Sequence, residues 1–392
     1  MLPIMKITFE KDLLLTTLAP VLGAVSSRNT MPTIAGILFK TVDETTCALY
    51  AYDLEKGIKT TISCVVEREG SFILNANKFV SIVRSLPDDS LTVDINEKNL
   101  VRITSGRSEF GLHALKGSDF PNLPELGGDN PFLIKQKLLR SLIGKTLFSA
   151  AQGDAKAIFN GVYFKTDTDS LTAVSSDRFT LSVCRMNAEI RNRDNGEEIH
   201  KEFIIPAKTL SEVYKLLDDT DDEATVFINR KHTVFMIGNY ILFSRLIDGE
   251  YIDYERFMPK ESKTFVSLDT AEFAQTLERA ALVTEDRELG QKKSILRCSF
   301  EPTVVKLSTE SVSGRFLDEV FCQKTGDDLV IFFTCKRLLD AVRATNVERL
   351  HLDLNTNLTG MVLTPAEPEK EFPDGEFRIL VLPVRPPQDG EI

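Results

Sequence analysis

Apolar and polar positions along this chain alternate in two rhythms, and the order of the rhythms recurs three times. Three short segments carry a helical rhythm: NKFVSIVRSLP (77–87), AKTLSEVYKLL (207–217) and CKRLLDAVRAT (335–345). Each is followed by strand-like alternation, LTVDI and LVRIT, then ATVFI and TVFMI, then RLHLDL and TGMVLT. Lys78, Lys208 and Lys336 hold the same place in the three segments, 130 and 128 residues apart. The openings of the units also match: 7–25, 132–148 and 265–283 each read as a short strand feeding an amphipathic helix. Leu14, Leu18, Val21 and Val25 lie on one helical face, and Leu138, Leu142 and Leu147, like Phe273, Leu277 and Ala281, approximate that spacing. Pro20, Gly23 and Gly144 weaken two of these helices.

Between the helices run AGILFKTV, TTCALYAYD, NGVYFKTD, SLTAVSSD and TVVKLSTE, whose period of two predicts strands with one buried face. Each unit closes on a strand and a proline. A period of about 130 residues is far longer than the roughly 20–50 of a solenoid, so it signals duplicated domains. The expected fold class is α+β, three copies of a domain of two helices on antiparallel sheet. The domains are expected at 1–127, 128–260 and 261–392, with turn-rich breaks near PELGGDNP (124–131) and PKESK (259–263).

Composition narrows the function mainly by exclusion. The 42% apolar and 27% charged fractions suit a globular protein. No apolar run approaches the roughly 18–20 residues of a membrane helix, and MLPIMKITFE lacks a signal-peptide core, so a cytoplasmic location is expected. Cys47, Cys64, Cys184, Cys298, Cys322 and Cys335 are scattered, as are His113, His200, His232 and His351. Reduced, mostly buried thiols are therefore expected, with no metal site and no cofactor. No phosphate-loop, dinucleotide or nucleophile-elbow motif occurs. The acidic stretch from Asp218 to Glu223 falls between a helical and a strand pattern and reads as a solvated turn rather than a cation cradle. An enzyme reading lacks a catalytic constellation.

Charge is unevenly spread. The six predicted helical segments together carry +7 against −11 for the whole chain, leaving −18 on the rest. Lys78 and Arg84, then Lys137, Arg140 and Lys145, then Lys336, Arg337 and Arg343 sit among few acids. Lys and Arg favour exposed helix faces anyway. The count alone thus leaves open a solvated face and a surface shared by the helices that meets a polyanion.

Four separated strings carry a resemblance: SGRSEFGLHALKGSDFPNLPEL (105–126), TAVSSDRFTLSVCRM (172–186), SRLIDGEYIDYERFMPK (244–260) and the closing VLPVR (381–385). In this order, and over essentially the whole chain, the sequence resembles the bacterial sliding clamps, the beta subunits of DNA polymerase III. The resemblance implies a ring-shaped head-to-tail homodimer with helices lining a hole for duplex DNA, held without base readout. It implies a non-catalytic processivity factor whose partners are the polymerase III catalytic subunit, the clamp loader and other proteins bearing a clamp-binding motif. A repeat-built scaffold without DNA is the competing reading; it accounts for the repeats but not for the clamp strings.

Carried over position by position, the resemblance implies a partner-peptide pocket walled by Phe159, Ser176, Asp177, Leu181, Ile252, Arg256, Phe257, Leu380, Val381, Leu382, Pro383, Val384 and Arg385. The family's arginine stands here as Thr180 and its proline as Ile252, which implies an altered motif preference. The segment 386–392 continues where the family commonly stops and is expected to tune access to the pocket. For DNA the implied residues are Arg28, Lys78, Arg84, Lys137, Arg140, Lys208 and Arg343. For the ring seam, Phe110 and Leu112 are expected to meet Leu282 and Val283 of a second copy, with Lys78 and Arg107 facing Asp318 and Glu319.

Overall fold

The computed structural model describes residues 3–26, 31–123, 131–284, 295–311 and 314–385. Six helices follow the predicted order: α1 Lys11–Val21, α2 Ala76–Ser85, α3 Gln136–Thr146, α4 Ala207–Leu216, α5 Thr270–Thr284 and α6 Cys335–Thr345. A further short turn of helix, Pro368–Glu371, lies in the third repeat. Local chemistry sets their ends. The Glu10 carboxylate accepts the N–H groups of Asp12 and Leu13 at 3.1 and 2.9 Å, capping α1. Asn75 caps α2 by accepting the Lys78 N–H at 3.0 Å. Asn346, in the left-handed region at φ 46°, closes α6. Pro20 sits in the last turn of α1, which ends at Val21 and passes into a tight turn over Leu22–Ala24. Val25 therefore falls beyond the helical face predicted for it, whereas Leu14, Leu18 and Val21 are buried as expected.

The described residues group into two compact units. The first comprises Met1–Lys137, Arg191–Glu197 and Lys208–Leu246. It holds a five-stranded antiparallel sheet and a nine-stranded one, in which Lys56–Ser63 of the first repeat pairs with Tyr240–Arg245 of the second. Its core is aromatic: Phe39 stacks on Phe72 at 4.9 Å and meets Phe79 edge-on at 5.2 Å.

The second unit comprises Leu138–Ile190, Glu198–Ala207 and Ile247–Ile392. Here one twelve-stranded sheet joins the second and third repeats where Thr180–Asn187 pairs with Gly375–Val381. The strand Ser170–Ser176 departs from the expected pattern, being buried along its whole length rather than on one face. Its small side chains let helix α3 approach, and the sheet hydroxyls then serve the end of that helix. Ser175 donates to the Thr146 carbonyl, and Ser182 on the next strand donates to the Lys145 carbonyl at 2.6 Å. These are carbonyls a helix C-terminus leaves without partners.

Lys145 itself corrects a sequence expectation. Counted among the basic helix positions, it is in fact 4% exposed, with Nζ 4.6 and 5.1 Å from the rings of Phe372 and Phe377. Burial pushes its ammonium below the ordinary lysine value, with the neighbouring Cys184 acting the other way. The acidic stretch after α4 is an exposed turn. Among the described residues no helix is long and apolar enough to cross a membrane.

Candidate functional site

The second unit gathers most of the predicted pocket residues around one hairpin. The strands Ser170–Ser176 and Thr180–Asn187 are joined by a turn that Asp177 holds from inside. Its Oδ1 accepts the N–H groups of Phe179 and Thr180 at 2.9 and 2.6 Å and the Thr180 hydroxyl at 2.8 Å. Its Oδ2 accepts from Arg337 at 3.2 Å, and the Arg337 guanidinium lies 4.0 Å from the centre of the Phe179 ring. Arg178, at φ +73°, bonds Asp154 at 2.6 Å and covers the buried Phe159 ring at 5.0 Å. Two arginines thus brace the turn, each through one carboxylate and one aromatic ring.

Behind the turn lies an apolar wall. Tyr163, Val174, Leu181, Val183, Met258, Val362 and Leu380 form a buried cluster, with Ile158, Ile247, Tyr251 and Tyr254 packed on it. Tyr163 stacks on Tyr251 at 5.1 Å. Burial raises the phenols of Tyr163, Tyr251 and Tyr254, so all three stay neutral at ordinary pH. Past Val381 the chain touches the hairpin turn and then the strand Leu329–Phe333: the Leu382 N–H donates to the Phe179 carbonyl and the Val384 N–H to the Phe332 carbonyl, both at 2.8 Å. Phe179, Phe257 and Leu382 remain exposed at the rim, Phe257 at 60%. An apolar floor, an apolar rim and a few fixed polar groups suit a short peptide.

The predicted residues take different places within this arrangement. Phe159, Ser176, Leu181, Leu380 and Val381 are buried, whereas Ile252, Asp177, Pro383 and Val384 are half-buried. Arg256 and Arg385 are exposed, and Arg256 is bonded to Asp253 at 2.6 Å. Thr180 spends its hydroxyl inside the turn and on Ser149 at 2.7 Å. Sequence reasoning missed Tyr163, Met258 and Val362, and it read Arg337 only as one of several helix cations. Val362 lies on Met361–Pro365, paired with Leu380, and no spacing announces that neighbour.

Comparison with known proteins bears on the whole chain. The sequence patterns of the N-terminal, central and C-terminal domains of the DNA polymerase III beta subunit match residues 5–124, 133–253 and 255–375. The chain belongs to the DNA polymerase III beta subunit family. It is 28% identical to the beta sliding clamp of Bacillus subtilis (strain 168), over 97% of this chain and 100% of that protein. It is 29% identical to the beta sliding clamp of Staphylococcus aureus (strain N315), over 97% and 99%. Among solved structures, the sliding clamp of Bacillus subtilis superposes with a TM-score of 0.85 at 28% identity, over 98% of this chain and 100% of that one. A Pseudomonas aeruginosa sliding clamp bound to griselimycin gives 0.83 at 26% identity, over 97% and 100%.

Two further regions carry residues that the clamp family brings into question. On the helices, Lys78, Arg84 and Lys208 are exposed and make no ion pair among the described residues. Lys137 is bonded to Asp221 at 3.0 Å and Arg343 to Glu278 at 2.7 Å, while Arg140 is half-buried. Arg28 and the segment 386–392 lie outside the described residues. At the two ends of the repeat series, strand edges are open. Ser108–His113 is the edge strand of the five-stranded sheet, with Phe110 and Leu112 half-buried on one face and Arg107 exposed just before it. In the second unit, Gly314–Thr325 pairs with Thr264–Asp269 only through residues 322–325, leaving 314–321 with one neighbour among the described residues. Leu317, Phe321 and, at the end of α5, Leu282 stand exposed there, Leu282 at 81%; Val283 is half-buried. Glu319 is exposed, but Asp318 is engaged within the same chain: Arg279 reaches it at 2.6 Å. Burial alone would raise the Asp318 carboxyl, yet the hydrogen bonds from Arg279 and the Glu319 N–H outweigh it and hold it low.

The six cysteines are free thiols. Burial pushes Cys47 and Cys184 up to about 12 and Cys64 to about 11, far from the thiolate character a nucleophile needs.

Proposed function

We propose that this chain is the subunit of a homodimeric ring that encircles duplex DNA without reading its bases and tethers DNA polymerase III. In this reading it is a non-catalytic accessory subunit acting in the bacterial cytoplasm, with domains at 1–127, 128–260 and 261–392. The observation that carries the ring is the pair of open strand edges, Ser108–His113 in the first repeat and 314–321 in the third. An edge whose backbone groups are unpaired is a template for another strand. Head-to-tail joining of these edges would bring Phe110 and Leu112 against Leu282 and Val283, and on the clamp reading the ring is complete with two subunits. With Asp318 occupied by Arg279, apolar burial supplies most of that closure, and Lys78 and Arg107 face chiefly Glu319.

A second support lies on two of the helices. Lys78 and Lys208 stand in the first turns of α2 and α4, where a cation opposes the helix dipole and no acid shares the turn; Lys336, at the same place on α6, is bonded to Asp340 at 3.2 Å. A phosphate backbone would compensate that cost. Arg28, Arg84, Lys137, Arg140 and Arg343 complete the proposed DNA-facing set.

The pocket of the second unit takes a partner peptide rich in Gln, Leu and Phe, as borne by the polymerase, the clamp loader and other clamp-binding proteins. Its proposed wall is Phe159, Ser176, Asp177, Leu181, Ile252, Arg256, Phe257 and residues 380–385. Loading onto nicked circular DNA by a clamp loader, followed by linearisation in moderate salt, tests the ring. Retention on the circle and loss on cutting are expected. A monomer, or a complex indifferent to cutting, would return the protein to the class of repeat scaffolds. For the pocket, Leu382→Asp should weaken a labelled clamp-binding peptide at least about tenfold, measured by anisotropy, with the thermal midpoint unchanged. Unaltered affinity would move the peptide site elsewhere.

A further inference from the structure

Five of the proposed DNA-facing cations fall into two classes. Lys78, Arg84 and Lys208 make no ion pair among the described residues. Lys137 and Arg343, by contrast, are each held by an exposed carboxylate from another element. In the first unit Asp221, in the turn after α4, bonds both Lys137 at 3.0 Å and Lys135 at 2.9 Å. In the second unit Glu278 on α5 bonds Arg343 on α6 at 2.7 Å.

We propose that Asp221 and Glu278 loosen the hold of this protein on DNA by keeping Lys137 and Arg343 paired. The inference rests on the reading of the helices as DNA-facing. A cation within 3 Å of a carboxylate presents little net charge beyond a Debye length, roughly 8–10 Å at moderate salt. To contact phosphate it either leaves its acid or brings a like charge toward the strand. An exposed pair is worth only about 0–1 kcal/mol, so the cations are available but attenuated. Each phosphate truly neutralised adds about 0.9 to the slope of log K against log salt. Attenuation therefore lowers the salt slope and favours sliding over gripping. The hydrogen bonds from Lys135 and then Lys137 also hold the Asp221 carboxyl below its ordinary value, so it stays charged throughout the neutral range.

The test uses the full chain, a short linear duplex, and salt from about 50 to 200 mM, the range over which phosphate contacts are most visible. Asp221→Asn and Glu278→Gln should each raise affinity at the lowest salt several-fold and steepen the slope by about 0.9 per cation freed. Asp221→Asn frees Lys135 as well as Lys137, so adding both Lys135→Ala and Lys137→Ala to it should return the slope to that of the parent. Asp219→Asn, which removes a charge from the same turn without freeing a lysine, should leave the slope unchanged. Unchanged slopes in Asp221→Asn and Glu278→Gln overturn the proposal, as does a gain that survives removal of both lysines or is matched by Asp219→Asn. Failure of the parent to stay on circular DNA overturns the clamp reading itself, and the proposal with it. The two failures are read on different variants.

Discussion

The strand Lys56–Ser63 in the first unit and the strand Thr180–Asn187 in the second do the same job, each joining one repeat to the next through an antiparallel partner. They do it to different extents. Lys56–Ser63 meets Tyr240–Arg245 only along residues 56–59, so residues 60–63 are open on that side. Beside this open stretch lies a cavity of about 240 Å³ lined by Leu13, Thr17, Thr46, Thr60 and Tyr240, among others. The buried Thr60 hydroxyl has no hydrogen-bond partner. Thr180–Asn187 instead pairs with Gly375–Val381 along residues 180–186, and the chain then continues to lay Leu382 against the hairpin turn and Val384 against the strand Leu329–Phe333. One duplicated design thus yields a short ladder with a void and a long ladder that carries a site. Rigid pairing under the rim is what positions a recognition surface, and the first junction lacks it.

The largest expected effect comes from the glycines where these ladders cross. A Cβ on Gly375 would strike the Arg185 carbonyl, which belongs to the paired backbone and cannot yield. A Cβ on Gly57 would strike mainly the far end of the Phe243 ring, a buried side chain that yields at less cost than paired backbone. Gly375→Ala should therefore cost about 3 kcal/mol and Gly57→Ala about 1 kcal/mol, read from denaturant midpoints. Equal losses would erase the distinction between the junctions.

Lys145 offers a smaller, pH-dependent test of the second junction. The folded chain releases this proton below the ordinary lysine value, while the unfolded chain keeps it until near 10.5. Between those two values the unfolded state binds more protons, so stability rises with pH. Lys145→Met should add about 1 kcal/mol at neutral pH and abolish the alkaline rise, in thermal melts from pH 7 upward. A destabilised variant would mean that the contacts with Phe372 and Phe377 outweigh burial. Smallest of all, Thr60→Val replaces an unpartnered hydroxyl with an isosteric methyl and should stabilise the first junction by about 0.5–1 kcal/mol. A loss would show that the cavity satisfies the hydroxyl in solution.

Legibility differed by range. The helix faces Leu14–Leu18–Val21 and Phe273–Leu277 were readable because residues three and four apart share a face wherever the helix packs. Lys145 has that same periodicity and was misread, since its burial depends on Phe372 and Phe377, more than two hundred positions away. Ser170–Ser176 looked one-faced because its serines and threonines count as polar. Only the carbonyl ends of α3 show why such residues are buried on both faces. Of the pocket, Leu380 and Leu382 were reachable through the family strings, whereas Val362 and Met258 were not.

The order of elements, the threefold repetition, the absence of nucleophile or metal motifs and the excess of cations on helices follow from the chain alone. They depend on local periodicity and on side-chain chemistry that every fold would respect. Which strands extend their ladders, which cations are left without acids, and which hydroxyls find carbonyls were decided by the tertiary structure. Those outcomes depend on partners far apart in sequence, and no local pattern encodes a distance between them.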